Sequence, residues 1–233
     1  GGALGSTLGQ LIKITPNERK ILLAAGATAG MSAIFGSPLA AILLAIELLL
    51  FEFSARSFIP VALACITGAA GHHLLFEEGV VFPLSFQLQP SSNYALLFYA
   101  TMGIVIGLIS VIVTKVVYWI EDVFEKLPIH WAWWPAIGGI AVGVVGFFSP
   151  RTLGVGYSNI TDLLTGTMPM QVVLSLCILK FVSWAISLGS GTSGGTLAPL
   201  LTIGGATGAL IGGIGMFWFP NSGINIPLSV LVG

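Results

Sequence analysis

Ser187-Leu188-Gly189-Ser190-Gly191-Thr192-Ser193-Gly194-Gly195-Thr196-Leu197-Ala198-Pro199 is polar and rich in glycine. Two apolar segments flank it, Val172 to Ile186 and Leu200 to Phe219, and both have the character of membrane spans. A loop between such flanks lies at membrane depth, where its backbone must be satisfied by protein, water or a ligand. Pro199 suits the first turn of a helix, because its missing N–H is not needed there. The N–H groups of Gly195, Thr196, Leu197 and Ala198 then have no carbonyl of that helix to bond. A helix N-terminus carries roughly half a positive charge. The stretch therefore reads as a small-anion site that needs no cationic side chain. The plainer alternative is a glycine hinge between packed transmembrane helices, since glycine lets membrane helices approach closely.

Composition supports the membrane setting. Apolar residues make up 55% of the 233-residue chain and charged residues 7%, against about 25% charged in soluble domains. Mean hydropathy is +1.00. The chain is expected to be an all-α integral membrane protein, multi-pass, in a plasma or inner membrane. The net charge of −1 argues against a nucleic-acid partner. Cys65 and Cys177 both lie in apolar runs and read as small buried hydrophobes. No signal peptide is visible. Gly1-Gly2 and Val232-Gly233 sit inside apolar patterning, so the chain is expected to be a fragment.

A second broken segment lies near the beginning. Ile21 to Leu50 is apolar except for Glu47 and exceeds one span of about 20 residues. Phe35-Gly36-Ser37-Pro38 divides it into helices expected over Ile21–Ile34 and Leu39–Leu50. Broken membrane helices mark ion sites or domain contacts. Gly1-Gly2-Ala3-Leu4-Gly5 also echoes Gly204-Gly205-Ala206-Thr207-Gly208, the mark of an internal repeat.

Gly189-Ser190-Gly191-Thr192-Ser193-Gly194-Gly195-Thr196-Leu197-Ala198-Pro199 resembles the signature of the CLC family of chloride channels and chloride/proton antiporters. In that family Gly-Ser-Gly leads into Gly-x-Phe-x-Pro. Ala24-Ala25-Gly26, Ser37-Pro38-Leu39-Ala40 and Ile46-Glu47 resemble a second family segment at the expected separation. The resemblance implies a CLC-type fold with broken helices and inverted repeats. Residues 1–233 would form part of one transmembrane domain, the end of the first repeat and most of the second. It implies chloride as the transported ion, no cofactor, the lipid bilayer as surroundings and a homodimer with one pore per subunit.

This sequence departs from the family pattern in two places. Leu197 stands where the family has Phe, which keeps the backbone N–H contact and alters the pore wall. Leu48 stands where the family's antiporters carry the second of two adjacent glutamates, the internal proton relay; a leucine carries no proton, so transport is expected to be channel-like. Glu47 is an intramembrane carboxylate, read either as functional or as paired near a helix end. Lys180, inside an apolar run, is a vestibule charge that concentrates anions or one half of a structural pair. A chloride/proton antiporter, a fluoride-selective relative and a non-transporting membrane subunit are the alternatives. No catalytic or metal constellation is evident, and His72-His73 reads as an interfacial pair, so no enzymatic activity is expected.

The remaining segments are read from hydropathy. Thr15 to Lys20 is a charged connection in which Pro16 and Glu18 suit a helix start. Spans are expected over Phe58–Phe76, Tyr94–Ile120 and Pro135–Phe148. Loops are expected over Glu77–Asn93 and Ser149–Gly166, with a solvated turn at Glu121–Lys126.

Overall fold

The computed structural model describes residues 1–12, 14–76, 92–192, 194–220 and 222–233. It is 81% helical, and no strand occurs among the described residues. The chain forms two compact units, Gly1–Pro83 and Leu84–Gly233.

In the first unit, α1 (Gly2–Leu11) packs on α2 (Pro16–Phe35). Thr15 and Glu18 start α2 with a capping box, in which the Thr15 N–H donates to the Glu18 carboxylate at 2.8 Å. Gly36 ends α2 at φ 62°, a left-handed position that glycine adopts without penalty. Pro38 then opens α3 (Pro38–Leu44), so the expected break falls where the Gly-Ser-Pro signal put it. The second half of the expected Leu39–Leu50 helix is not regular: Ala45–Leu50 is a π-helical turn. It closes with the Phe51 N–H on Ile46 O at 2.9 Å, and Phe51 takes φ 56°. Lys20 Nζ reaches Leu50 O at 3.4 Å and covers the negative end of that turn.

α4 (Ala55–Leu75) packs on α2 through small residues. A Cβ on Gly68 would collide with Ala29 O, so glycine permits the close approach. Ser32 Oγ donates to Cys65 O at 2.7 Å and ties the two helices together. Cys65 itself is fully buried. His72 stacks on Phe76 at the end of α4.

The second unit is built around α8 (Met170–Gly189) and α9 (Leu197–Trp218). α5 (Asn93–Glu125) has 33 residues, about 50 Å of helix. That exceeds the hydrocarbon core of about 30 Å. The expected solvated turn at Glu121–Lys126 is therefore largely the continuation of α5. No glycine or proline lies between Ile120 and Pro128 to stop the helix, and Phe124 is buried against the ring of Trp134. A 3₁₀ turn, Trp131–Trp133, leads into α6 (Trp134–Phe148).

The connection expected over Ser149–Gly166 contains a 3₁₀ turn, Pro150–Thr152, and a helix, α7 (Tyr157–Leu164). Ile160, Leu163 and Leu164 form one buried face of α7, while polar residues hid this short apolar stripe in the hydropathy pattern. α10 (Ile226–Val232) packs on α9. The expected loop at Glu77–Asn93 lies outside the described residues, apart from Ser92 and Asn93 at the start of α5.

Among the described residues five helices are long and apolar enough to cross a membrane: Ala55–Leu75, Asn93–Glu125, Trp131–Phe148, Met170–Gly189 and Leu197–Trp218. Only 6% of the apolar window of α5 is buried within the chain, so its surface requires an apolar surrounding. The chain is an integral, multi-pass membrane protein.

The glycine echo has a structural counterpart in each unit. A Cβ on Gly26 would stand 2.5 Å from Gly1 O, and one on Gly5 would collide with Leu22 O. In the second unit a Cβ on Gly204 would stand 2.5 Å from Gly233 O, and one on Gly208 would collide with Ser229 O. The spacing from Leu22 to Gly26 equals that from Ser229 to Gly233. The same four-point helix contact is thus made twice.

Candidate anion site at the start of α9

α8 ends at Gly189, where its close approach to α5 leaves no room for a side chain. A Cβ there would stand 2.7 Å from Ile120 Cγ2. Ser190 follows, 1% exposed, its hydroxyl donating to Ser187 O at 2.7 Å. It sits against Gly138 of α6, where a Cβ would collide with Ser190 Oγ. Thr192 Oγ1 lies 2.9 Å from Ser187 Oγ, and Gly191 turns the chain at φ 76°. The end of α8 is therefore clamped by α5, by α6 and by its own hydroxyls.

α9 begins at Leu197 with Thr196 as its N-cap, and Gly195 stands ahead of the helix rather than in its first turn. The Leu200 N–H closes the first helical bond, onto Thr196 O at 3.1 Å. Leu197 and Ala198 precede it, so their N–H groups have no intrahelical partner. Pro199 has none to satisfy. Threonine is a competent capping residue, yet the Thr196 side chain makes no capping bond. By contrast Thr15, Ser54 and Ser92 all cap their helices.

Gly194 and Gly195 have neither a positive φ nor a packing neighbour to explain them: a Cβ on either meets no atom within 4 Å. Glycine at such positions lets a ligand approach the backbone. Thr202, fully buried one turn into α9, donates to Ala198 O at 2.9 Å and stiffens the opening turn.

Lys180 is 4% exposed on α8. Its ammonium donates to Thr152 O at 2.7 Å and to Gly154 O at 3.0 Å. Asn159 Nδ2 donates to Arg151 O at 2.7 Å, so three carbonyls of one loop turn inward onto buried donors. This carbonyl cup was not legible in the sequence, because it depends on left-handed turns at Gly154 and Gly156. A Cβ on Gly156 would lie 3.3 Å from Thr202 Oγ1 and 3.9 Å from Lys180 Nζ. Lys180 is thus bound structurally within the second unit, near the residue that braces the first turn of α9.

Glu47 and Leu48 lie in the π-helical turn of the first unit. Leu48 is 58% exposed and Glu47 is exposed as well. Among the described residues no group of three metal-ligating side chains assembles.

The architecture defines a polytopic α-helical membrane protein in which a glycine-flanked helix N-terminus presents N–H groups that have no intrahelical partner. The sequence model of the family described as voltage gated chloride channel matches residues 1–233, and the chain belongs to that family. It is 30% identical over 213 residues to the voltage-gated ClC-type chloride channel ClcB of Shigella boydii, covering 90% of this chain and 50% of that relative. ClcB of Escherichia coli gives the same figures. The chain thus spans about half the length of these curated relatives. Among solved structures, a slow cyanobacterial Cl−/H+ antiporter superposes with a TM-score of 0.84 at 20% identity, covering 99% of this chain and 55% of that one. A CLC-type fluoride/proton antiporter gives 0.76 at 22% identity, covering 98% and 57%. At these identities the superpositions speak to the fold.

Proposed function

We propose that the protein carries chloride across the membrane, with the ion held at the start of α9 by the N–H groups of Leu197 and Ala198, helped by those of Thr196 and Gly195. The carrying observation is the pair Gly194-Gly195 ahead of an uncapped Thr196: these glycines serve neither backbone conformation nor packing. Peptide dipoles without a full countercharge attract an anion yet release it, as conduction requires. The chemistry needs no cofactor, and no bond is made or broken.

Transport is channel-like in this reading. Leu48 occupies the place where a proton-relaying carboxylate would stand, and no ionisable side chain replaces it within the π-helical turn except Glu47. The chloride-channel description of the curated relatives agrees with this. Proton-coupled exchange is the competing reading, because the two solved neighbours are described as antiporters. The test is chloride efflux from liposomes containing the full-length protein, recorded with an external pH electrode. Chloride efflux without stoichiometric proton movement is expected; uphill proton transport driven by a chloride gradient would overturn the channel-like reading. No anion flux at all would favour a structural subunit.

A further inference from the structure

We propose that the cavity at the polar end of the first unit binds the headgroup of a zwitterionic phospholipid with a primary ammonium, of the phosphatidylethanolamine kind. The cavity measures about 830 Å³ and lies between the start of α2 and the Leu50–Pro60 junction that leads into α4. That size falls within the range of ligand pockets, about 300–1,000 Å³. Its depth in the membrane follows from its walls. The span Ala55–Leu75 begins at this junction, and the charged turn Thr15–Lys20 precedes the apolar body of α2. Both place the cavity where headgroups lie. Ile21, Leu22 and Leu50 give it an apolar wall on which glycerol and the first acyl carbons can rest.

The charges select the ligand. Lys20, Arg56, Glu18 and Glu52 all line the cavity. None of them is in ion-pair contact with another, the one such pair among the described residues being Arg151–Asp162, although Arg56 acts on the Glu18 carboxyl through space. The Glu18 carboxylate is held by the Thr15 N–H at 2.8 Å and by Thr15 Oγ1 at 2.7 Å. Glu52 accepts from Ser57 Oγ. Lys20 spends one of its three donors on Leu50 O. Arg56 has no hydrogen-bond acceptor among the described residues.

A lone phosphate would meet two carboxylates, and a lone cation would meet Lys20 and Arg56. A ligand carrying both charges satisfies all four. Arg and Lys are phosphate donors. The carboxylates accept hydrogen bonds from a primary ammonium, which a quaternary one cannot give. No aromatic ring lines the cavity, so the cage that quaternary ammonium ligands require is missing.

The experiment is lipid retention by the full-length protein, measured by native mass spectrometry after equilibration with phosphatidylethanolamine, phosphatidylcholine or phosphatidylglycerol. Phosphatidylethanolamine should be retained about fivefold over the other two, the worth of one exposed charge pair near the top of its range. Glu52→Gln should abolish that preference, and Arg56→Gln should lower the retention of all three lipids, while chloride flux persists. Lys20→Gln is the second variant if Arg56→Gln does not fold. Soluble glycerophosphoethanolamine should compete only weakly. Equal or better retention of phosphatidylglycerol would overturn the proposal, as would unchanged preference in Glu52→Gln, unchanged retention in Arg56→Gln, or soluble headgroup binding as tightly as the lipid.

Discussion

Lys180 shows how one side chain organises a loop. A buried ammonium with no carboxylate partner is costly unless its donors are satisfied, and the inward-facing carbonyls of Thr152 and Gly154 do that. Lys180→Met should therefore strand two buried carbonyls and destabilise the protein by about 2–4 kcal/mol, read as a lower unfolding midpoint in detergent. An unchanged midpoint would mean that the Ser149–Gly156 loop is held by other contacts. Glu18 gives a pH signature. Hydrogen bonds from the Thr15 side chain and then from its backbone N–H hold the Glu18 carboxyl below the ordinary range. A folded-state pKa below the unfolded one means the contribution is complete above the unfolded value and fades as pH falls through the folded value. The stability gap between the protein and Glu18→Gln should thus be present at neutral pH and close in acid. A gap independent of pH from 7 to 3 would contradict this assignment.

At the scale of elements, close helix contacts set what each position tolerates. Gly208→Ala drives a methyl into Ser229 O on α10, and overpacking of this kind costs about 1–3 kcal/mol. Gly107→Ala on α5 meets nothing within 4 Å and should be neutral or gain up to about 1 kcal/mol of helix propensity. Thermal denaturation of the two variants side by side checks the contrast; equal effects would mean that the α9–α10 approach is looser than described. The elements themselves were legible to different degrees. Gly36-Ser37-Pro38 announced the break between α2 and α3, because a left-handed glycine followed by a proline admits little else. The boundaries of α8 and α9 followed from the polar stretch between two apolar runs. The π-helical turn at Ala45–Leu50 was hidden, since an all-apolar run looks the same in either helical register. α7 was hidden because its stripe spans only Ile160 to Leu164. α5 ran past Ile120 because a helix leaving the hydrocarbon needs no new signal to continue.

For the whole molecule, the two units repeat one contact: Gly1, Gly5, Leu22 and Gly26 in the first correspond to Gly204, Gly208, Ser229 and Gly233 in the second. Pro199 lies five positions before Gly204. Any residues encoded ahead of Gly1 should accordingly place a proline five positions before it, preceded by a glycine-containing turn; sequencing the parent gene checks this, and another residue there would break the correspondence. The central claim, however, rests on the N-terminus of α9, and most of that site was readable as types of residue: glycines, then Thr196, Leu197, Ala198 and Pro199. The bracing by Thr202 and the clamp of Ser190 against Gly138 were not, because they depend on which helices meet. The most direct test is anomalous diffraction from bromide-soaked crystals of the full-length protein. An anomalous peak within hydrogen-bond distance of the N–H groups of Leu197 or Ala198 is the predicted result; bromide bound elsewhere, with this turn bare, would contradict the account.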